Sequence, residues 1–338
     1  MAKAKKAVLL MNLGTPDSTA TKDVRKYLRE FLMDWRVIDI PAIPRWLLVN
    51  LIIATFRAPK SAAEYKKVWT EKGSPLLYLG EELRDLLQAA LGDDYHVRLG
   101  MRYQNPGITD AMAPFKNKGY EEILVIPMYP QYASATTGST IEAVNKEIEE
   151  WQIIPKMTYI SNFVQDPNFV NAWVEVAKKY MEENWDHFLF SYHGLPERQI
   201  KKGSTDNYCQ LGKCCDSYHQ KNHFCYRAQC FETTRQLAAG LGIPEEKYSV
   251  CFQSRLGKDP WIQPYIDDKV KELPEAGNKR VLAFSPAFVT DCLETNIEIG
   301  EEYKEQFEEN GGEHWQLVES LNTHEAWVHC LKEMVLNN

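Results

Sequence analysis

A histidine stands just beyond an apolar stretch that predicts a buried strand. The stretch ends at Phe190, and His193 follows immediately before Gly194 and Pro196, two residue types that end a strand and turn the chain. The histidine is therefore expected at the carboxyl end of a strand, where its unperturbed pKa of about 6.5 suits a proton acceptor at neutral pH. A lone histidine is more often a core or capping residue, so a catalytic role requires a second reactive group nearby.

A second apolar stretch leads into a run of carboxylates. Residues 281–289 predict another buried strand. The acidic residues that follow are Asp291, Glu294, Glu298 and Glu302, and their spacing places them on one face of a helix. A solvated surface helix is the ordinary explanation for such a run. Its position directly after a buried strand instead favours an access path for a divalent cation, and a base facing that path suits an enzyme that takes up a metal ion and accepts protons in return.

Five of the eight cysteines lie in one short, loop-like segment. They are Cys209, Cys214, Cys215, Cys225 and Cys230. A chain without an export signal is expected to keep its thiols reduced, which argues against disulfides. Four thiolates suit a 2Fe–2S cluster or a structural zinc ion, and the spacing lacks the paired C-x2-C pattern of a zinc ribbon. We therefore predict a 2Fe–2S cluster held by four of the five, with zinc as the alternative. Cys214 or Cys215 is expected to be the surplus residue, because adjacent cysteines seldom both bind one small site.

The composition is that of an ordinary globular protein, and it excludes several classes. The chain has 338 residues and a formal net charge of −8, which argues against a general nucleic-acid binder. The first residues do not resemble an export signal, and no stretch reaches the roughly 20 apolar residues of a membrane span. The longest apolar stretch, residues 46–56, predicts a buried core helix. The alternative is an exposed apolar lip that rests on a bilayer, with Arg45 and Arg57 near the lipid headgroups.

Apolar runs alternate with helical patterns along the whole chain. Strands are predicted at 6–13, 95–101, 122–128, 155–162, 186–193, 247–253, 279–285 and 314–319. Helices are predicted at 21–33, 44–56, 60–70, 78–91, 106–118, 138–150, 168–183, 226–241, 260–272, 294–309 and 323–336. This alternation indicates an α/β fold with parallel sheets, in which ligands bind at the carboxyl ends of the strands. We predict two similar lobes with a cleft between them, residues 1–165 and 166–338, with a cysteine-rich insertion at 203–230 and the last helix packed on the first lobe.

Several short motifs occur in the same order as in ferrochelatases, the enzymes that insert ferrous iron into a porphyrin to make haem. They lie at residues 10–16, 57–60, 73–76, 101–103, 129–132, 136–139, 191–196, 252–255 and 291–295. The chain resembles this family over nearly its whole length. The resemblance implies two doubly wound, Rossmann-like lobes of the chelatase type, each with a four-stranded parallel sheet flanked by helices. The cysteine segment is similar to that of bacterial members with an internal 2Fe–2S site.

The resemblance also implies roles for individual residues. His193, Glu294 and Asp291 would be catalytic, with His193 and Glu294 facing each other across the porphyrin pocket and binding the substrate iron. Glu298 and Glu302 would line the iron path. The residues implied for porphyrin binding are Leu13, Arg57, Lys60, Tyr65, Ser74, Arg102 and Tyr132. Whether His193 binds metal or only accepts protons stays open at this stage.

The expected activity is the conversion of ferrous iron and protoporphyrin IX into protohaem. The sequence around residues 10–16 is similar to members that use protoporphyrin IX rather than coproporphyrin III. The alternatives are a chelatase for coproporphyrin III or sirohydrochlorin and a non-catalytic, two-lobed carrier of haem or metal. The protein is expected in the cytoplasm, without a nucleic-acid partner, and peripheral membrane contact is a further expectation. The oligomeric state and the iron donor stay open.

Overall fold

The computed structural model describes residues 6–257 and 259–338. The first five residues, where no export signal is expected, and Lys258 lie outside the described residues. Distances between Cα atoms group the described chain into two compact units. The first contains residues 6–129, 134–161 and 328–338, and the second contains residues 130–133, 162–257 and 259–327. The division after residue 165 stays a prediction.

The first unit contains a four-stranded parallel sheet with the strand order β2-β1-β3-β4. Its strands are β1 (Lys6–Gly14), β2 (Tyr95–Tyr103), β3 (Glu122–Pro127) and β4 (Lys156–Tyr159). The α-helices in this part of the chain are α1 (Thr21–Met33), α2 (Ala42–Leu47), α3 (Ala54–Val68), α4 (Pro75–Leu91), α5 (Ile108–Met112) and α6 (Ser139–Ile148). The π-helical segments Leu48–Ile53 and Ser134–Gly138 lead into α3 and α6.

The second unit repeats this arrangement with the strand order β6-β5-β7-β8, again all parallel. Its strands are β5 (His187–His193), β6 (Tyr248–Gln253), β7 (Arg280–Phe284) and β8 (His314–Leu317). The remaining α-helices are α7 (Pro167–Ala177), α8 (Glu197–Lys202), α9 (Tyr226–Leu241), α10 (Ile266–Glu275), α11 (Tyr303–Glu309) and α12 (Glu325–Leu336). A π-helical segment, Glu294–Glu302, precedes α11. Short 3₁₀ turns lie at Lys178–Tyr180, Thr205–Asn207, Lys213–Cys215, Gln220–Asn222 and Glu245–Lys247.

The predicted fold class is confirmed, and all eight predicted strands are present. The prediction succeeded because buried parallel strands are continuous apolar runs with helices between them. The inner strands β1, β3 and β5 are almost wholly buried. Helix α1 shows how the flanking helices pack. Its buried side chains, Val24, Tyr27, Leu28 and Leu32, recur on one face.

In each sheet the first and third strands are neighbours, and the chain leaves them in opposite directions. For the second sheet these strands are β5 and β7. The crevice at the carboxyl ends of two such strands is the usual ligand site of an open α/β sheet. His193 is the last residue of β5, and the loop that leads to Glu294 follows β7. The sheet therefore places both predicted segments at one edge.

The structure corrects the two helices predicted at 44–56 and 60–70. The chain is helical without a break from Ala42 to Val68, and Pro59 lies inside α3. Buried alanines at 54, 58 and 62 recur every four residues and form a stripe of small side chains on the buried face of the helix. We attribute the continuous helix to this packing, which outweighs the single hydrogen bond that proline removes.

The same helical run leaves most of its apolar side chains in solvent, so the predicted core helix at 46–56 is wrong. The side chains that form this exposed lip are Ile43, Trp46, Leu47, Leu51, Ile52 and Phe56, which are 46% to 76% exposed. Arg45 donates to the carbonyls of Ile38 and Ile40 at 3.1 Å each, whereas Arg57 is exposed. In the part of the chain that the structure describes, no helix has the length and hydropathy needed to cross a bilayer.

Several other helix predictions change in extent. Residues 106–118 contain only the short α5, and residues 294–309 divide into a π-helical segment and α11. The helix predicted at 260–272 begins only at Ile266, after Pro264, because proline disfavours a helical residue before it. Helix α8 was not predicted, since six residues are too few for a periodic signal.

Gly14 ends β1 in a conformation that only glycine tolerates. Its φ is +112°, and a Cβ atom there would lie 1.9 Å from the carbonyl oxygen of Tyr103. We expect Gly14→Ala to lower the free energy of unfolding by about 3 kcal/mol or more, because β1 and β2 must separate. Gly92→Ala is the matched control: φ is +74° and no atom lies within 4 Å of the new Cβ. It should cost about 1 kcal/mol. Urea denaturation measures both, and equal losses would contradict the packing argument.

Candidate active site

Gly194 allows a close backbone approach directly after His193. The Gly194 amide donates to the Gln253 carbonyl at 2.8 Å. A Cβ atom at position 194 would lie 2.8 Å from that oxygen and 3.0 Å from the Trp261 ring. Glycine is therefore required there, and the direction of His193 is set by the backbone of β5 and β6.

His193 is held as one neutral tautomer. Its Nδ1 lies 2.7 Å from the carbonyl oxygen of Gly194, which can only accept, so Nδ1 carries the proton and Nε2 keeps its lone pair. Burial lowers the pKa of His193, although the bond to Gly194 and the charge of Glu294 oppose this shift. The imidazole is thus an uncharged base at neutral pH, and it lies close enough to Glu294 for their charges to interact.

The glutamates lie on a π-helical turn. Glu294 begins the segment Glu294–Glu302, and the charge of Glu298 interacts with those of Glu294 and Glu302. The three side chains therefore lie near one another along one face. Glu302 is at the exposed end. π-Helical turns are rare and occur frequently at functional sites.

Glu298 titrates near neutral pH. Burial raises the pKa of Glu298 to about 7, with a further contribution from the neighbouring glutamates, although hydrogen bonds from Ser254 and Gln253 oppose the shift. The Ser254 hydroxyl lies 2.7 and 2.9 Å from the two carboxylate oxygens. A carboxyl group with this pKa can both accept and release a proton under physiological conditions.

Gln253 joins the histidine strand to the glutamates, a role that was not predicted. Its side chain accepts a hydrogen bond from the Ser191 hydroxyl at 2.7 Å. It also donates to the Glu298 carboxylate and to the Glu294 carbonyl, both at 3.3 Å. The feature that could have predicted this role is the position of Gln253 at the end of β6, where it pairs with His193.

Asp291 is engaged elsewhere. Its carboxylate accepts hydrogen bonds from the Ser320 amide at 3.0 Å and from the Asn322 side chain at 2.9 Å. Its own amide donates to the Asn322 side chain at 2.9 Å. These bonds hold the loop after β7 against the loop after β8, and they occupy both carboxylate oxygens.

The residues predicted for porphyrin binding divide between the two units. Leu13, Arg57, Lys60, Tyr65, Ser74 and Arg102 lie in the first unit, and Tyr132 lies in the second. Arg57 and Lys60 are exposed on α3, whereas Leu13 and Tyr65 are half-buried and pack against one apolar cluster. Ser74 is buried and accepts a hydrogen bond from the Thr15 hydroxyl at 2.9 Å.

Arg102 is part of a buried polar network in the first unit. Its guanidinium donates to Asp34 and to Ser139, at 2.7 Å each. Burial raises the pKa of Asp34, but hydrogen bonds from Ser139, Arg36 and Tyr103 and the charge of Arg102 outweigh it, so the pKa lies below its usual value. Arg102 is therefore a structural ion-pair partner first, with limited freedom to bind a ligand.

Four of the five clustered cysteines lie together. Cys209, Cys214 and Cys225 line one surface pocket. Cys209 and Cys214 are hydrogen bonded, and the Cys215 thiol donates to Cys225. This bond raises the pKa of Cys215 and lowers that of Cys225. Cys230 is fully buried further along α9 and bonds to Tyr226 instead.

Nitrogen donors are directed at the four grouped sulfurs. The pairs are the amides of Gln210 with Cys214 (3.3 Å), Leu211 with Cys209, Arg227 and Ala228 with Cys225, and the Arg227 guanidinium with Cys215. Such donors favour the thiolate form that binds metals. Within residues 6–257 and 259–338, no three His, Cys, Asp or Glu side chains are arranged to hold a metal ion.

Two solved structures share the fold. SirB from Bacillus subtilis with Fe3+ superposes with a TM-score of 0.54 at 12% identity, over 98% of this chain and 95% of that chain. The sirohydrochlorin chelatase SirB from Bacillus subtilis subspecies spizizenii, in complex with cobalt, gives a TM-score of 0.52 at 11% identity, over 98% and 94%. At such low identity the likeness concerns the fold alone.

Sequence comparison reaches further. Residues 5–338 match the family model described as ferrochelatase. The ferrochelatase of Legionella pneumophila (strain Lens) is 46% identical over 331 residues, which is 98% of each chain. The ferrochelatase of Coxiella burnetii (strain Dugway 5J108-111) is 42% identical over 333 residues, 97% of this chain and 92% of that one. The resemblance seen in the motifs is confirmed: the chain belongs to the ferrochelatase family.

Proposed function

We propose that this protein inserts ferrous iron into protoporphyrin IX to form protohaem. Its family establishes the reaction class, which is iron insertion into a porphyrin during haem biosynthesis. The structural observation that supports the proposed residue roles is the neutral imidazole of His193 beside the carboxylate of Glu294, at the carboxyl edge of the second sheet.

The reaction exchanges two pyrrole protons for one ferrous ion, without a change in oxidation state. In our proposal Nε2 of His193 accepts a pyrrole proton, because its lone pair is free while Nδ1 is held by Gly194. Glu298, with a pKa of about 7, passes protons on towards the exposed Glu302. Gln253 and Ser254 keep the Glu298 carboxyl group in place during this transfer.

Iron approaches along the same glutamates. Carboxylate oxygens are suitable ligands for a hydrated divalent ion, and the run from Glu302 to Glu294 leads from solvent to the imidazole. In our proposal Glu294 binds the arriving ion, while the lone pair on Nε2 of His193 is kept for the pyrrole proton. Asp291 is assigned to holding the loop after β7 in position, since each of its oxygens accepts a hydrogen bond from the loop after β8.

Porphyrin propionates require cations. Arg57 and Lys60 are exposed on α3 and suit this role. Arg102 and Ser74 are assigned to the support of the binding residues, because each already has buried partners. Leu13, Tyr65 and Tyr132 are assigned to apolar and aromatic contact with the macrocycle.

Replacing His193 tests the proton acceptor. We expect His193→Ala to lower kcat for iron insertion about 100-fold or more, with porphyrin affinity unchanged, because loss of a general base typically costs this much. Turnover is followed by haem absorbance and binding by porphyrin fluorescence, with sirohydrochlorin and coproporphyrin III as competing substrates. His329→Ala, at an exposed histidine of α12, is the control. Near-normal turnover by His193→Ala would remove the imidazole from the mechanism.

We also propose that the cysteine segment holds a 2Fe–2S cluster, through Cys209, Cys214, Cys215 and Cys225. The four soft sulfur donors and the nitrogen groups directed at them fit such a cluster. When bound, it would supply structural cross-linking and one-electron redox sensitivity. Cys230 is left out because it is buried against Tyr226, which revises the expectation that Cys214 or Cys215 is surplus.

The visible spectrum tests the cluster. We expect the purified protein to be coloured and to contain iron and acid-labile sulfide, and each Ser substitution at the four cysteines to abolish the colour. Cys230→Ser is the matched control and should keep it. A colourless protein that carries zinc would contradict the 2Fe–2S assignment, and loss of colour in Cys230→Ser would contradict the choice of ligands.

We further propose that the protein is cytoplasmic and contacts a membrane peripherally through the lip. Six large apolar side chains between residues 43 and 56 are exposed, and Arg57 lies beside them. An exposed apolar surface of this kind, with a cation at its edge, suits the interface of a bilayer. It also suits an enzyme whose substrate and product dissolve poorly in water.

Flotation with anionic liposomes tests this contact. We expect wild-type protein to float and the double variant Leu51→Asp/Ile52→Asp to stay in the aqueous fraction, because two charges would have to enter the apolar layer. Ile153→Asp/Ile154→Asp is the control, since these side chains are equally exposed outside the lip. If wild type and both variants stay in the aqueous fraction, the lip has no membrane role.

A further inference from the structure

The first turn of α9 bonds directly to the end of β5. The hydroxyl of Tyr226 donates a hydrogen bond to the backbone carbonyl of His193 at 2.8 Å. Tyr226 is buried, and it follows Cys225, the residue that precedes α9. A single residue therefore separates the cysteine segment from the histidine strand.

This bond matters because the end of β5 pairs with a neighbouring strand on only one of its two sides. Pairing with β6 continues to His193, whereas pairing with β7 stops at Phe190. The last residues of β5 must therefore obtain support on the other side from side chains. Tyr226 supplies it at the carbonyl of the reactive residue itself.

Cys230 extends the same chain of hydrogen bonds. Its thiol and the Tyr226 hydroxyl are bonded to each other. The hydroxyl also donates to the His193 carbonyl, so it lies between the thiol and the end of β5. Cys230 is therefore a buried neighbour of the hydroxyl that reaches His193.

Gln229 makes a parallel connection on the same turn. It is fully buried. Its side chain accepts a hydrogen bond from the Tyr132 amide at 2.6 Å and donates one to the His223 carbonyl at 2.5 Å. The Tyr132 ring also meets the Phe224 ring edge-on at 5.5 Å. Tyr132, assigned above to the porphyrin, therefore rests on the cysteine segment.

Side chains hold the segment together and attach it to α9. Within the segment, Asn222 donates to the carbonyls of Cys214 and Ser217 at 2.8 and 2.7 Å. Arg235 of α9 donates to the Cys215 carbonyl at 3.3 Å. Hydrogen bonds from Gln229 and Arg235 of α9 therefore attach the segment to this helix.

We propose that Tyr226 is a positioning residue for His193, and that the first turn of α9 couples the cysteine segment to the reaction site. The inference rests on the proposed role of His193 as proton acceptor. Tyr226 is buried, and its effect is on the position of the imidazole.

Tyr226→Phe tests the positioning, since it keeps the buried ring and deletes only the hydroxyl. We expect kcat per bound porphyrin to fall about 10-fold, because small displacements of a catalytic group are costly, while the Kd for porphyrin stays within about 2-fold. Counting sites by stoichiometric porphyrin binding excludes unfolded protein as the cause. The control is Tyr192→Phe, which deletes a buried hydroxyl between the same strand and helix, bonded to Thr234 at 2.8 Å. Equal losses in the two variants, or no loss in Tyr226→Phe, would overturn the proposal.

A spectroscopic readout requires no turnover. In protein labelled with ¹⁵N-histidine and free of porphyrin and added iron, the ring resonances of His193 are identified by their absence in His193→Ala. They should shift in Tyr226→Phe and stay in place in Tyr192→Phe. Unmoved resonances in Tyr226→Phe would contradict a positioning role.

A double-mutant cycle tests the coupling. Cys209→Ser disturbs the segment at a residue outside α9, and we expect it to lower kcat several-fold through α9. The double variant Cys209→Ser/Tyr226→Phe should then lose no more than the more affected single variant, whereas independent effects would multiply and overturn the coupling. If His193→Ala retained activity, the proposed proton acceptor would fail. If His193→Ala were inactive while Tyr226→Phe behaved as wild type, only the present inference would fail.

Discussion

The central position of β5 in the second sheet is the constraint on which the site depends. Two parallel neighbours fix the direction of β5, and β7 stops short of its end. The histidine and the glutamates are far apart in the chain, but parallel pairing brings the ends of their strands to one edge. Gly194 then permits the close approach to Gln253 that holds the imidazole in place.

Burial shifts the pKa values of His193 and Glu298 in opposite directions. It lowers the pKa of the base His193 and raises that of the acid Glu298 to about 7, because burial disfavours whichever form is charged. Burial thereby keeps His193 uncharged at neutral pH and gives Glu298 a pKa at which it can accept and release a proton. Gln253 and Ser254 satisfy the buried carboxyl group, so its burial does not leave polar atoms without partners.

The cysteine segment lies between α8 and α9, and hydrogen bonds connect it and the first turn of α9 to neighbouring parts of the second unit. Its carbonyls are bonded by Asn222 and Arg235, and its last residues lead directly into the turn that contacts His193 and Tyr132. A group bound by the cysteines would stiffen the support of the site without taking part in the chemistry. Such stiffening would depend on the position of the segment immediately before α9.

The sequence by itself determined the fold class, because hydrophobic periodicity and chain punctuation are local properties. All eight strands were predictable in this way, as was the location of His193 at a strand end. Side-chain partners were not predictable, because they depend on contacts between residues far apart in the chain. Only the tertiary structure shows that Asp291 and Arg102 are committed to Asn322 and Asp34.

The same limit applies to surfaces and to helix geometry. An apolar stretch such as 46–56 has the same composition whether it faces a core or solvent, and the packing of the alanine stripe of α3 decided which side is buried. The π-helical turn at Glu294–Glu302 has no periodic signature in so short a segment. The sequence thus determined which elements form and which residue types reach the site, while the packing of those elements decided which side chains remain free to react.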